Sequence, residues 1–186
     1  ERVRAQAQAL LAEMKVAAVK LGVLGSSENA QAIARLLPDV PVVLDPVLAS
    51  GRGDTLASAE TIKILLSKAA VATPNTTEAK ALGGVKAILA TGCRYVLVTG
   101  THEPTPEVVN VLHDRSGVVR EDRWPRLPGS YHGSGCTLAS ALAGALASGR
   151  TPLEAAREAQ AFTWQALAAG FRPGAGQFIP QRRPRP

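Results

Sequence analysis

Aromatic residues are scarce in this sequence: two Trp, two Tyr and three Phe among 186 residues. A core with so few rings must be built from Ala, Val, Leu and Ile, as in a parallel sheet covered by helices. Cysteine is scarcer. Cys93 and Cys136 stand far apart, with no Cys-x-x-Cys and no Cys/His spacing. That excludes the usual zinc patterns and a disulfide framework, and makes a reducing cytoplasm the expected compartment. No apolar run approaches the roughly 20 residues that cross a bilayer, and no secretory leader is visible, so no membrane partner is expected. Internal repeats and low-complexity linkers are missing too, so residues 1–186 read as one domain. There is no initiator Met. The chain opens in what reads as mid-helix, "ERVRAQAQALLAEM", and an upstream segment is expected to be missing from it.

Charge is modest. The formal net charge is +6, and the closing "QRRPRP" alone holds three of the arginines. The other basic residues are scattered, with no stripe and no aromatic interleaving, which argues against nucleic acid as a partner. A basic surface suits a polyanionic small substrate such as a nucleotide equally well.

What is present is an alternation of strand and helix signals. Residues 1–14 read as a helix with one apolar face, and 17–25 as a buried strand ending in a glycine turn. Residues 26–39 form a Ser-started helix stopped at Pro38, 40–47 a β-branched strand, and 58–69 a Ser-capped helix. A short strand over 70–75, helices over 76–82 and 85–92, and a strong strand over 94–100 follow. Residues 107–114 and 117–127 flank "DRSG" as an antiparallel hairpin. Helices over 136–149 and 152–170 and an irregular tail over 171–186 complete the chain. The pattern predicts a three-layer α/β/α fold, with a mostly parallel sheet between helices. One join is very short: "KALGG" runs straight into "VKAILATG", and a missing loop is expected there.

Ligands in open α/β sheets bind beyond the carboxyl ends of the strands. Four polar clusters fall there: Asp45 in "VLDPV", Asn75 and Glu78 in "TPNTTEA", Thr99 to His102 in "VTGTH", and "HGSGCT". In the last, Gly133 and Gly135 let several N–H groups converge where a helix begins, which makes an anion hole. Cys136 in the first turn is placed where a thiol acidifies. It can act as a base on a substrate hydroxyl or simply as a small contact residue. The alternative is a glycine-containing helix start with a buried structural cysteine. Neither the P-loop nor the dinucleotide glycine spacing is present. Asn75 and Glu78 can organise the water shell of Mg²⁺ or form a capping box. Asp45 is either a loop-fixing acceptor or part of a metal and phosphate environment. "GRGDT" (51–55) reads as a flexible glycine loop; His102 is a further site candidate, and His113 reads as a surface residue.

Together "VVLDPVLASG", "ATPNTTEAKAL", "GCRYVLVTGTHE" and "HGSGCTLASALAGALASG" resemble the hydroxymethylpyrimidine/phosphomethylpyrimidine kinases of the ribokinase-like superfamily. The resemblance runs from about residue 17 to residue 179. Related pyridoxal and sugar kinases usually carry Asp where Cys136 stands, so the cysteine points to the pyrimidine kinases. The resemblance implies ATP and Mg²⁺ as cofactors, a small pyrimidine as substrate and a homodimeric cytoplasmic enzyme of thiamine biosynthesis. It implies Cys136 as catalytic base and Gly133, Ser134 and Gly135 as the anion hole. Asn75 and Glu78 would organise metal and nucleotide phosphates, and Asp45 would stand near the metal. Thr99, Gly100 and Thr137 would border the nucleotide. Two features depart from the family: its first strand and glycine-rich loop have no counterpart here, and Thr99 stands where the family often has lysine. The competing expectations are a pyridoxal-type kinase of the same fold and a non-catalytic pyrimidine- or nucleotide-binding module.

Overall fold

A computed structural model describes residues 2–50 and 53–183. Gly51 and Arg52 of the "GRGDT" loop and the last three residues of the tail lie outside the described residues. The elements are α1 (Arg2–Glu13), β1 (Val19–Leu21), α2 (Ser27–Ala34), β2 (Val42–Leu44), α3 (Ala59–Leu66), β3 (Val71–Ala72) and α4 (Thr76–Ala81). Then come α5 (Val85–Ala90), β4 (Tyr95–Thr99), β5 (Glu107–Asp114), β6 (Gly117–Pro125), α6 (Ser134–Ala147) and α7 (Pro152–Ala168).

The six strands form one sheet whose spatial order equals chain order, β1-β2-β3-β4-β5-β6. β1 to β4 are parallel, and β5 and β6 continue antiparallel as the expected hairpin. Leu44, Ala72 and Val96 point to one face, where Ile62, Leu65 and Leu66 of α3 and Ile88 and Leu89 of α5 cover them. Val43, Val71 and Leu97 point to the other, under Leu138, Ala139 and Leu142 of α6 and Ala155, Ala156 and Ala159 of α7. Alanine facing a sheet lets helices sit close, which is how a core with few rings closes. These two apolar layers give the three-layer α/β/α architecture.

Capping residues start most helices where the sequence suggests. Ser26, Ser58 and Thr151 each accept a backbone N–H three residues on. Other features differ from the sequence reading. The strands are shorter, because only the central two to five residues of each parallel strand find partners before the chain turns away. α6 begins at Ser134, two residues earlier than the apolar run suggests, because Gly133 caps it. The α4–α5 join needs no longer loop: Gly83 (φ +93°) and Gly84 (φ +87°) turn the chain within two residues. None of α1's residues is buried, so its apolar face does not enter the described core. His113 is half-buried on β5, and burial lowers its pKa.

Candidate functional site

Side-chain alternation puts Lys20, Asp45, Thr73 and Thr99 on the α6–α7 face of the sheet, in step with Val43, Val71 and Leu97. Asp45, Thr73 and Thr99 lie at or just beyond the carboxyl ends of β2, β3 and β4, and Lys20 reaches them from the middle of β1. Asp45 is buried, and its Oδ2 stands 3.2 Å from Lys20 Nζ. This contact is an ion pair whose angles do not make a hydrogen bond, so Oδ2 accepts none among the described residues. The hydroxyl of buried Thr73 is likewise without a hydrogen-bond partner among them. Buried polar atoms left this way are rare enough to need a reason.

α6 starts over this floor. Gly133 holds the left-handed conformation, φ +83° and ψ +14°, and supplies no side-chain cap. The first bond of the helix is Thr137 N to Gly133 O at 2.9 Å. The N–H groups of Ser134, Gly135 and Cys136 therefore find no acceptor among the described residues. A Cβ on Gly135 would lie 3.9 Å from Asp45 Oδ1, which fixes how near the strand-end carboxylate comes to the turn. Cys136 is exposed. The other thiol, Cys93, is buried, and burial pushes its pKa up to about 11.

Asn75 and Glu78 form a reciprocal capping box. Asn75 Oδ1 accepts from Glu78 N at 2.9 Å, and Glu78 Oε2 accepts from Asn75 N at 2.9 Å. Asn75 is thus committed first to starting α4. The Glu78 carboxyl is raised above its ordinary pKa, chiefly by desolvation and further by the charge of Asp45, while backbone hydrogen bonds from Asn75 and Leu48 partly oppose the shift. A buried carboxyl whose ionisation is opposed by a neighbouring carboxylate suits a divalent cation.

Thr99 is 9% exposed, and its N–H donates to Pro74 O at 2.9 Å. Gly100 N donates to Asn110 Oδ1 at 3.1 Å. Any Cβ on Gly100 would collide with the Val109 carbonyl oxygen, so close backbone approach alone requires glycine there. Asn110 Nδ2 donates to Gln160 Oε1 (2.9 Å), as does Trp124 Nε1 (3.1 Å), and Gln160 Nε2 donates to Asp122 Oδ2 (2.9 Å). Thr99 and Gly100 are thereby tied to β3, β5 and α7 rather than to the turn at 133–137. Arg126 fixes the following loop by donating to the carbonyls of Thr101, Glu103 and Thr105. His102 lies exposed in that loop.

Asp45, Gly135 and Glu78 are thus gathered beside the α6 N-terminus, and Thr137 closes its first turn. Thr137 Oγ1 donates to Gly133 O at 2.7 Å and accepts from Arg182 Nε at 3.0 Å. Lys20, Thr73 and Arg182 were missed by sequence reasoning. A lone Lys inside the apolar "AAVKLG" run was a signal for the first. Thr73 and Arg182 carry no local signal, because strand alternation places one and the tail's path places the other.

The family model for phosphomethylpyrimidine kinase matches residues 1–181. The chain belongs to the phosphomethylpyrimidine kinase family. A hydroxymethylpyrimidine/phosphomethylpyrimidine kinase of Streptomyces coelicolor is 39% identical to this kinase, over 95% of this chain and 72% of its own. A thiamine biosynthetic bifunctional enzyme of Arabidopsis thaliana is 34% identical over 90% of this chain and 36% of its own. Among solved structures, the pyridoxal kinase of Staphylococcus aureus in complex with ADP superposes with a TM-score of 0.86 at 26% identity, covering 96% of this chain and 72% of its own. The kinase's layered fold is therefore the ribokinase-like one. No helix among its described residues is long and apolar enough to cross a membrane.

Proposed function

We propose that this kinase moves the γ-phosphoryl group of ATP onto hydroxymethylpyrimidine and onto its monophosphate, in thiamine biosynthesis. Pyrimidine kinases and a thiamine biosynthetic enzyme among its relatives support the substrate class. The ADP complex of its structural neighbour supports the nucleotide. The observation that carries the reading is the α6 N-terminus, where Gly133 leaves three N–H groups open beside Asp45 and Cys136 is exposed in the same turn.

Each group has a role in the transfer. With hydroxymethylpyrimidine, Cys136 acts as the base that takes the proton of the substrate hydroxyl; with the monophosphate, the accepting oxygen is one of the ionised phosphate oxygens. The substrate oxygen forms its bond to the γ-phosphorus, and the bond from that phosphorus to the β,γ-bridging oxygen breaks. The electron pair leaves on ADP. The turn of Gly133, Ser134 and Gly135 forms the anion hole, where the open N–H groups of Ser134, Gly135 and Cys136 meet the charge on the transferring group. Thr137, Thr99, Gly100 and Asn75 border the nucleotide. Mg²⁺ fits the Asp45–Glu78 pair, because Asp45 Oδ2 lacks a hydrogen bond and Glu78 resists ionising without a cation. Bound there, it would neutralise phosphate charge. In the assembly we infer, two such chains form a cytoplasmic homodimer, which sedimentation and cell fractionation test.

The deciding assay compares ATP turnover with hydroxymethylpyrimidine, its monophosphate and pyridoxal. The pyrimidines should be preferred, and Cys136→Ala should lower kcat by about 10²–10⁴-fold, the usual worth of a positioned base. Preference for pyridoxal would make the protein a pyridoxal-type kinase. Nucleotide binding without turnover would make it a binding module.

A further inference from the structure

The segment after α7 returns to the candidate site. Phe171 and Ile179 exchange backbone hydrogen bonds at 3.1 and 2.9 Å. Phe178 N donates to Ser130 O at 2.9 Å, and His132 N donates back to Phe178 O at 2.8 Å. The rings of Tyr131 and Phe178 pack with centroids 5.5 Å apart. Gln181 N then bonds Ala166 O on α7 at 2.8 Å. The strap so formed delivers Arg182 to the first turn of α6, where its Nε donates to Thr137 Oγ1 at 3.0 Å. A Cβ on Gly133 would lie 2.9 Å from Arg182 Nη2, so the guanidinium lies directly against the left-handed glycine.

This placement concentrates donors at the turn, with the carboxylates of Asp45 and Glu78 nearby but neither paired with Arg182 among the described residues. The N-terminus of α6 already carries partial positive charge on three open N–H groups. A guanidinium beside it adds a full charge of the same sign. Arg182 makes no ion pair among the described residues. Lys20 is engaged by Asp45 instead. The floor beneath is equally unsatisfied: Thr73, 5% exposed, offers a hydroxyl with no partner there. Like charges gathered on one space are stabilised by an anion between them.

We infer that Arg182 is a phosphate-contacting residue of this kinase, its guanidinium donating to the phosphoryl oxygens received by the α6 N-terminus. The inference rests on the kinase reading for the identity of the anion. As the bond to the bridging oxygen breaks, charge grows on the departing ADP and on the transferring group. A fork of N–H donors held by Thr137 meets that charge without having to reorganise.

The test uses the whole chain with Arg182→Ala, Arg182→Lys and Arg182→Gln. Arg182→Ala should lose about 100-fold or more in kcat/KM for ATP, the scale of one removed anion-hole donor, with an unchanged melting temperature. Lys should recover part of the loss. Gln keeps a donor for Thr137 but no charge, and should recover little. Rescue by Gln and not by Lys would reduce Arg182 to a strap anchor and overturn the inference, as would wild-type kcat/KM in Arg182→Ala. Calorimetric titration with ADP separates this from the kinase reading. If wild type fails to phosphorylate any pyrimidine yet binds ADP at least 10-fold more tightly than Arg182→Ala, the kinase reading fails and the phosphate contact stands. Equal ADP affinity in both proteins sinks the contact whatever the turnover.

Discussion

Glu78 holds two roles that pull in opposite directions. Its carboxylate caps α4 through Asn75 N, yet desolvation and the Asp45 charge hold its pKa above the ordinary value. A carboxyl with a raised folded pKa contributes stability that is fully present below the unfolded value. That stability is lost as pH rises through the folded pKa. A rise in pH that ionises Glu78 therefore works against folding. Glu78→Gln keeps an acceptor for the cap and removes the charge. Its melting temperature should exceed wild type at neutral pH, and the gap should close as pH falls below the carboxylate range, while kinase activity drops. An unchanged or lowered neutral-pH melting temperature would show that burial does not penalise this carboxylate. At this scale the sequence was legible where turn chemistry is local. Asn-x-x-Glu and Gly-x-Gly-Cys announce themselves within six residues. Asp45 was legible because a strand led into it. Lys20 and Arg182 were not, since what matters about each is a partner far along the chain.

Elements are positioned by a few close backbone approaches. Gly100 ends β4 where β5 crosses so near that the Val109 carbonyl leaves no room for a methyl group. Gly100→Ala should force β4 and β5 apart and cost upwards of about 2 kcal/mol, the scale of overpacking at a rigid contact. Urea unfolding measures this, and a cost below the experimental error would show that the strands yield. The disturbance would travel through Asn110, which bonds Gly100 N. The order of strands and helices was readable from hydrophobic period and caps, because both are local. Their ends were not. β3 has only two paired residues, against the six over 70–75 that the sequence suggests, since beyond it only an isolated bridge from Asn75 to Thr99 continues toward β4 before the α4 cap turns the chain. The start of α6 was masked in the same way: Ser134 and Gly135 look like loop, and only the left-handed Gly133 shows that the helix has begun.

Across the whole molecule, Gln160 is the polar joint between the α6–α7 layer and the antiparallel ribbon. It binds Asn110, Asp122 and Trp124 at once, and Trp164 adds a ring contact to Trp124 with centroids 6.3 Å apart. Gln160→Leu leaves the Asn110 amide buried without its acceptor. It should lower unfolding free energy by about 1–3 kcal/mol, read as a reduced denaturant midpoint at constant slope. A midpoint equal to wild type would mean water replaces Gln160 at no cost. The mostly parallel, three-layer plan was readable in the sequence, but nothing there showed α7 bonded through one side chain to a hairpin about 40 residues earlier.

The sheet's spatial order, identical to its order along the chain, also bears on time. Each parallel strand can join a neighbour already in place, so contacts of short sequence separation come first and long-range ones last. α6 breaks this sequence, because it packs back over β1 and β2, laid down about a hundred residues before it. As the chain emerges from a ribosome, β1 to β4 are therefore all synthesised before the α6 N-terminus that lies over them. The candidate site is the last part of the sheet's face to be made, because its roof is one helix end and the strap that brings Arg182 to it.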